Sequence, residues 1–228
     1  MRFTPLEERK IAVGVDLGQS KDPTSLAVVE RVRLVVPQHI VEELHGSNAG
    51  RARLIEMRRE LPRADFNLRL LEQAPLGEAY PAQAQRIKRI VARPQIAEHD
   101  PRIFMDFTGV GRPMYDIMRQ ERVPRLVPVT ITFQGSGMNE AGGRTVAKLD
   151  LISRLQALMH NGQLHMPDTL PLAKTFRREL IDFRVSYTAV GNATFGAREG
   201  AHDDLVLAVA LAVYGLTLPE VTIGPLRV

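Results

Sequence analysis

The stretch Ile11 to Glu30, IAVGVDLGQSKDPTSLAVVE, constrains this chain more than any other. An apolar run ends on Asp16, a glycine-containing polar turn follows, and a second apolar run starts at Thr24. The pattern predicts two strands joined by a loop, with the first strand delivering one carboxylate to its own end. Successive strand residues point to opposite faces, so Ile11, Val13 and Val15 share one face and Ala12, Gly14 and Asp16 the other. The small residues behind Asp16 predict open space, of the kind a metal and a substrate would use.

The rest of the chain sets bounds on what Asp16 can meet. A length of 228 residues and 44% apolar content suffice for one well-buried domain. With no cysteine, disulfides and thiolate metal sites are excluded. The charged start MRFTPLEERK has no apolar leader core, and the apolar run Leu205 to Leu218 is too short for a membrane span. A cytoplasmic protein with no membrane partner is the expectation. The net charge is +4, carried mostly by arginine, which suits forked contacts to phosphate. Charge alone makes a nucleic-acid partner plausible and no more.

In chain order, residues 1–10 read as a polar lead-in. Val32 to Pro37, continuing through Ile40 and Val41, reads as a third apolar run. The arginine-rich segment 46–65 reads as a short amphipathic insertion with a basic outer face. Phe66 to Leu71 alternates as a strand, and Tyr80 to Val91 has helical spacing. RIFMDFT, residues 102–108, is a strand carrying a second terminal carboxylate, Asp106, ahead of a helix with Pro113 in its first turn. Leu126 to Phe133 is the next strand. A glycine-rich loop follows, and then a helix expected to turn Leu149, Ile152, Leu155 and Met159 inward, closed by Asn161-Gly162. Asp168 or Thr169 is the expected cap of a further helix with Leu172, Phe176 and Leu180 inward. Gly191-Asn192 signals a β-hairpin, and a helix from about His202 to Leu216 precedes a tail, residues 219–228. The order predicts an α/β fold with a mixed sheet in a single domain spanning 1–228.

Asp16 and Asp106 both end strands, and Asp203-Asp204 open the last helix. Each alone has an ordinary explanation, a turn or a helix cap. Asp22, before Pro23, reads as a turn residue. Together the four are harder to dismiss. Carboxylates within ~5 Å repel by ~3 kcal/mol per pair at an effective dielectric near ~20, so no fold keeps such a cluster for stability. Oxygen ligands, with only His202 adjacent, point to Mg²⁺ or Mn²⁺. Aspartate clusters holding two such ions carry out phosphodiester hydrolysis.

On these residues the chain resembles the nuclease domain of the phage terminase large subunit, in the RNase H-like (retroviral-integrase) superfamily. The matching pieces are GVDLG with Asp16, Leu76-Gly77 and Tyr80-Pro81, DFTGVG with Asp106, KLDLISRLQALMHNGQLHMP from Lys148, and GAHDDLVLAVALA from Gly200. The resemblance covers roughly residues 11–215. It implies an RNase H-like fold, a central mixed sheet flanked by helices, with an extra hairpin before the last helix. It also implies two divalent ions, Mg²⁺ or Mn²⁺, held by Asp16, Asp106, Asp203 and Asp204, and cleavage of double-stranded DNA. His202 and Lys148 would stand around the ligands or face substrate, Lys148 leaning toward solvent. Implied partners are a separate packaging ATPase, the small terminase subunit or the portal.

No ATPase domain is expected in these residues. GMNEAGGRT, residues 137–145, places Gly143 where a phosphate-binding loop needs lysine; it reads instead as a mobile loop that orders on DNA. The alternatives are a Holliday-junction resolvase or transposase on the same fold, an actin-like kinase lobe, and a non-catalytic DNA-binding packaging protein.

Overall fold

The computed structural model describes residues 3–18, 22–133, 135–187, 193–197 and 202–219. Strand β1 (Leu6–Asp16) pairs antiparallel with β2 (Ser25–Val35) along its whole length, from Leu6–Val35 to Asp16–Ser25. The lead-in is therefore shorter than expected, because Leu6 to Lys10 already belong to the strand. Val32 to Val35 are the end of β2 rather than a third run. Pro37, which has no N–H to give a ladder, separates β2 from α1 (Gln38–His45), and Ile40 and Val41 are helical. α2 (Asn48–Glu60) follows, capped by Ser47, whose Oγ accepts from the Gly50 N–H at 3.0 Å. The basic insertion is thus a helix pair with its own small core of Val36, Ile40, Leu54 and Met57.

The chain continues with β3 (Asp65–Gln73), α3 (Tyr80–Val91), α4 (Pro94–Ala97), β4 (Arg102–Asp106), α5 (Gly111–Gln120) and β5 (Leu126–Thr132). Next come β6 (Gly137–Met138), β7 (Arg144–Ala147), α6 (Lys148–His160), β8 (Leu164–His165) and α7 (Ala173–Asp182). β9 (Phe183–Tyr187), β10 (Ala193–Ala197) and α8 (Asp204–Thr217) complete it. Eight strands form one mixed sheet in the order β6-β7-β5-β4-β1-β2-β3-β8. β9 and β10 pair antiparallel by themselves, while the expected Gly191-Asn192 turn lies outside the described residues.

The alternation in β1 sets the layers. Ile11, Val13 and Val15 pack with α3, α4 and α5 residues such as Ile87, Ile96 and Met114. Ala12 joins the opposite core, built from α6, α7 and α8. α8 is buried on all sides from Asp204 to Tyr214, as an uninterrupted apolar run requires. Among the described residues no helix is long and apolar enough to cross a membrane.

Three local expectations change. α6 buries Leu151, Ile152, Leu155 and Leu158, leaving Leu149 and Met159 48% and 43% exposed. Its apolar stripe is wide, and only the seat against α8 selects which edge faces in. α7 begins at Ala173, later than a cap at Asp168 or Thr169 would give, after Leu172 in a left-handed conformation. Pro171 disfavours helical backbone at the residue before it. The glycine-rich loop is a small hairpin tied by Asn139. Its Nδ2 donates to the Pro128 and Arg144 carbonyls, and its Oδ1 accepts from the Ala141 and Gly143 N–H groups.

Candidate metal centre

The chain leaves β2 on one side of β1 and returns on the other with β4, which runs parallel to β1. In open α/β sheets the crevice at the carboxyl ends of strands, where the order reverses, is where ligands bind. Asp16 and Asp106 end these two strands, one step beyond the paired Val15 and Met105. Adjacent strands lie ~4.8 Å apart and paired residues share a face, so the two carboxylates are neighbours.

α8 supplies the other wall. A methyl on Gly14 would collide with the backbone of Ala208 and Ala212, so the helix rests directly on β1. This corrects the expectation of open space: Ala12 and Gly14 are small to admit a helix, not an ion or DNA. α8 lies with its first turn toward the Asp16 end and Gly215 over the Phe104 ring, at the middle of β4. Asp203 and Asp204 thereby arrive beside Asp16.

The N-terminus of α8 is held by a residue the sequence reading missed. Glu179, buried on α7, accepts the Leu205 and Val206 N–H groups at 2.9 and 3.2 Å. The signal was available: Glu179 lies three residues after Phe176, on the inward stripe. Asp203, at the cap position, makes no capping bond. Its Oδ2 instead accepts from Lys148 Nζ at 3.0 Å. Of the two places expected for Lys148, beside the ligands or toward solvent, it takes the first, and the lean toward solvent is corrected. Asp106 is oriented by Thr108, whose N–H and hydroxyl donate to Oδ1 at 2.8 and 2.6 Å.

Asp22 also departs from its expected role. It stands 3.2 Å from His202 Nδ1, which is 3.6 Å from Asp204 Oδ2. Asp22, His202 and Asp204 each offer a ligand atom within 4.8 Å of the others, and among the described residues they are the one trio that does. Asp204 thus belongs both to this trio and to the group around Asp16.

The electrostatics are those of crowded, desolvated anions. Burial, then the charges of Asp106, Asp204 and Asp203, push the Asp16 carboxyl well above its ordinary range, against the pull of Lys148. Burial raises Asp106, opposed by the Thr108 hydrogen bonds and Lys148. Asp204 is pushed up to about 6, first by burial and then by Asp22, with His202 opposing. Burial pushes Glu179 up to about 7. Asp204 Oδ2 is buried without a hydrogen-bond partner. A buried carboxylate oxygen without a hydrogen bond is costly, and a coordinated cation would satisfy it. Aspartate and histidine donors with no thiolate fit a hard divalent ion.

A mixed sheet whose order reverses between β1 and β4, with acidic side chains gathered there beneath a buried helix, is an RNase H-like α/β architecture. The crystal structure of the large terminase nuclease from thermophilic phage G20c matches it with a TM-score of 0.59 at 21% identity, over 91% of this chain and 82% of that one. That nuclease has been solved with bound magnesium and with bound cobalt. The large terminase nuclease domain of Thermus phage P74-26 gives 0.54 at 20% identity, over 90% and 78% of the two chains. In sequence, 65 residues are 43% identical to the large terminase subunit of Thermus phage G20c. The matched segment is 28% of this chain and only 13% of that protein. No family model matches. The fold of this chain is that of the large terminase nuclease domain.

Proposed function

We propose that this chain is a metal-dependent endonuclease that hydrolyses the phosphodiester bonds of double-stranded DNA, as the nuclease part of a phage packaging machine. The observation that carries the reading is the buried Asp204 Oδ2, left without a hydrogen-bond partner among carboxylates raised first by burial and then by neighbouring negative charge. Asp16, Asp106 and Asp204, with Asp203 at their edge, would hold two Mg²⁺ or Mn²⁺ ions. When bound, such ions lower the pKa of an attacking water and stabilise the departing 3′ oxygen.

The chain's own residues prepare that site. Thr108 fixes the orientation of Asp106. Glu179 anchors the first turn of α8, so that Asp204 is presented from a rigid element. Lys148 offsets part of the negative charge through Asp203. His202 spans Asp22 and Asp204 at the mouth of the site. The magnesium- and cobalt-bound structures of a nuclease with this fold support the metal dependence. A packaging ATPase, the small terminase subunit or the portal in a host-cell cytoplasm are the proposed surroundings.

Incubation with supercoiled plasmid and Mn²⁺ or Mg²⁺ tests the proposal. Nicked and linear DNA should appear, and Asp16→Ala or Asp106→Ala should abolish them. No cleavage with either ion, or undiminished cleavage by both variants, would overturn the reading.

A further inference from the structure

At the other end of the parallel strands lies a second feature. A pocket of about 900 Å³ is lined by Arg9, Lys10, Arg102, Arg125 and Arg144 among others. It continues, through the shared Arg9, Ile11, Glu98 and His99, into one of about 360 Å³ that adds Arg69 and Arg93. Arg102 opens β4 and Asp106 closes it, so about 13 Å of strand separates this groove from the carboxylates.

Some of the cations are spent within the fold. Glu30 accepts from Arg9 at 3.1 Å and Arg69 at 2.9 Å, and Asp100 pairs with Arg125 at 2.8 Å. Arg93, Arg102 and Arg144 form no ion pair among the described residues. Arg102 lies over the Phe104 ring, 5.4 Å from its centroid. Burial, then the neighbouring Arg125 and Arg144, lower its pKa, and of these three guanidiniums only Arg125 has a carboxylate beside it among the described residues. Such repulsion contributes nothing to stability. A bound anion would relieve it.

We infer that this groove is a second DNA-backbone site, in which Arg93, Arg102 and Arg144 contact phosphates remote from the bond that is cut. It rests on the proposed function only in taking DNA as the polyanion. Arginine is the cation suited to bidentate phosphate contacts, and the groove spans two connected pockets rather than a point.

The test is fluorescence anisotropy with a labelled duplex in chelator, where binding is read without cleavage. For the triple variant Arg93→Ala, Arg102→Ala, Arg144→Ala, affinity should fall at least ~10-fold at about 100 mM salt, and the salt slope of log K should flatten by ~2.7. The corresponding triple lysine variant should keep most of that slope. An alanine variant with the affinity and slope of the wild type would overturn the inference. So would displacement of triphosphate or polyglutamate from the groove while duplex binding is unchanged. If the triple variant does not fold, the exposed single variant Arg93→Glu decides, with at least ~3-fold weaker binding expected and wild-type binding refuting. Plasmid cleavage is scored separately: failure there sinks the nuclease reading and leaves the groove standing, and the reverse also holds.

Discussion

Gly14→Ala tests the contact on which the site depends. An added methyl would stand 2.7 Å from Ala212 N and 3.0 Å from the Ala208 carbonyl carbon, and would overlap the Ala208 oxygen. Ordinary contact begins near ~3.5 Å, so clearing the Ala208 oxygen requires α8 to move by more than about 1 Å. The obstructing atoms are backbone, so no side chain can yield instead. Overpacking of this kind costs ~1–3 kcal/mol, and a rigid obstacle places Gly14→Ala at the upper end. At ~2–4 °C per kcal/mol for a domain of this size, Tm should fall by about 5–12 °C. The moving helix carries Asp203 and Asp204 away from Asp16, and a displacement near ~1 Å can cost ~100-fold in rate. Thermal melting with Mn²⁺-dependent plasmid cleavage, read well below the variant's own Tm, measures both. If the variant melts and cleaves like the wild type, α8 does not rest on β1 as described. If it melts early but cleaves normally when folded, the α8 carboxylates do not act with Asp16.

Two further predictions concern charge. Lys148→Ala removes the cation that lowers the proton affinity of Asp16, Asp106 and Asp204, so all three should rise further. The acid limb of Mn²⁺-dependent cleavage should then move to higher pH, and an unmoved limb would mean Lys148 does not act on these groups. Glu179 is raised to about 7, so the native state holds its proton more tightly than the unfolded chain. That contribution is full below the unfolded value near ~4.3 and is lost as pH rises through about 7. Glu179→Gln should therefore flatten the decline in stability between roughly pH 4 and 8 in urea titrations with chelator, and an unchanged slope would refute it.

Much of this arrangement was legible in the residues. The two-residue period of IAVGVD placed Asp16 at a strand end and divided its neighbours between two faces. RIFMD did the same for Asp106, and LVLAVALAVY announced a helix buried on all sides. What escaped was governed by contacts distant in sequence. Gly14 implied space until α8 occupied it. Lys148 implied solvent until β7 and α6 brought it to Asp203, 55 residues later. Asp22 satisfied every local criterion of a turn residue, yet it meets His202 across the fold. The edge of α6 expected to face in, with Leu149 and Met159, was the wrong one because its apolar stripe is wider than the face α8 covers.

Which carboxylates end strands and helices follows from neighbours in the chain, because hydrophobic period and turn chemistry act over a few residues. Which of them meet is settled by packing across the fold, since that depends on where a parallel return strand is inserted and how closely a helix can approach. Asp16 and Asp106 are neighbours because β4 returns beside β1. Asp203 and Asp204 join them because Gly14 has no side chain and Glu179 holds the first turn of α8.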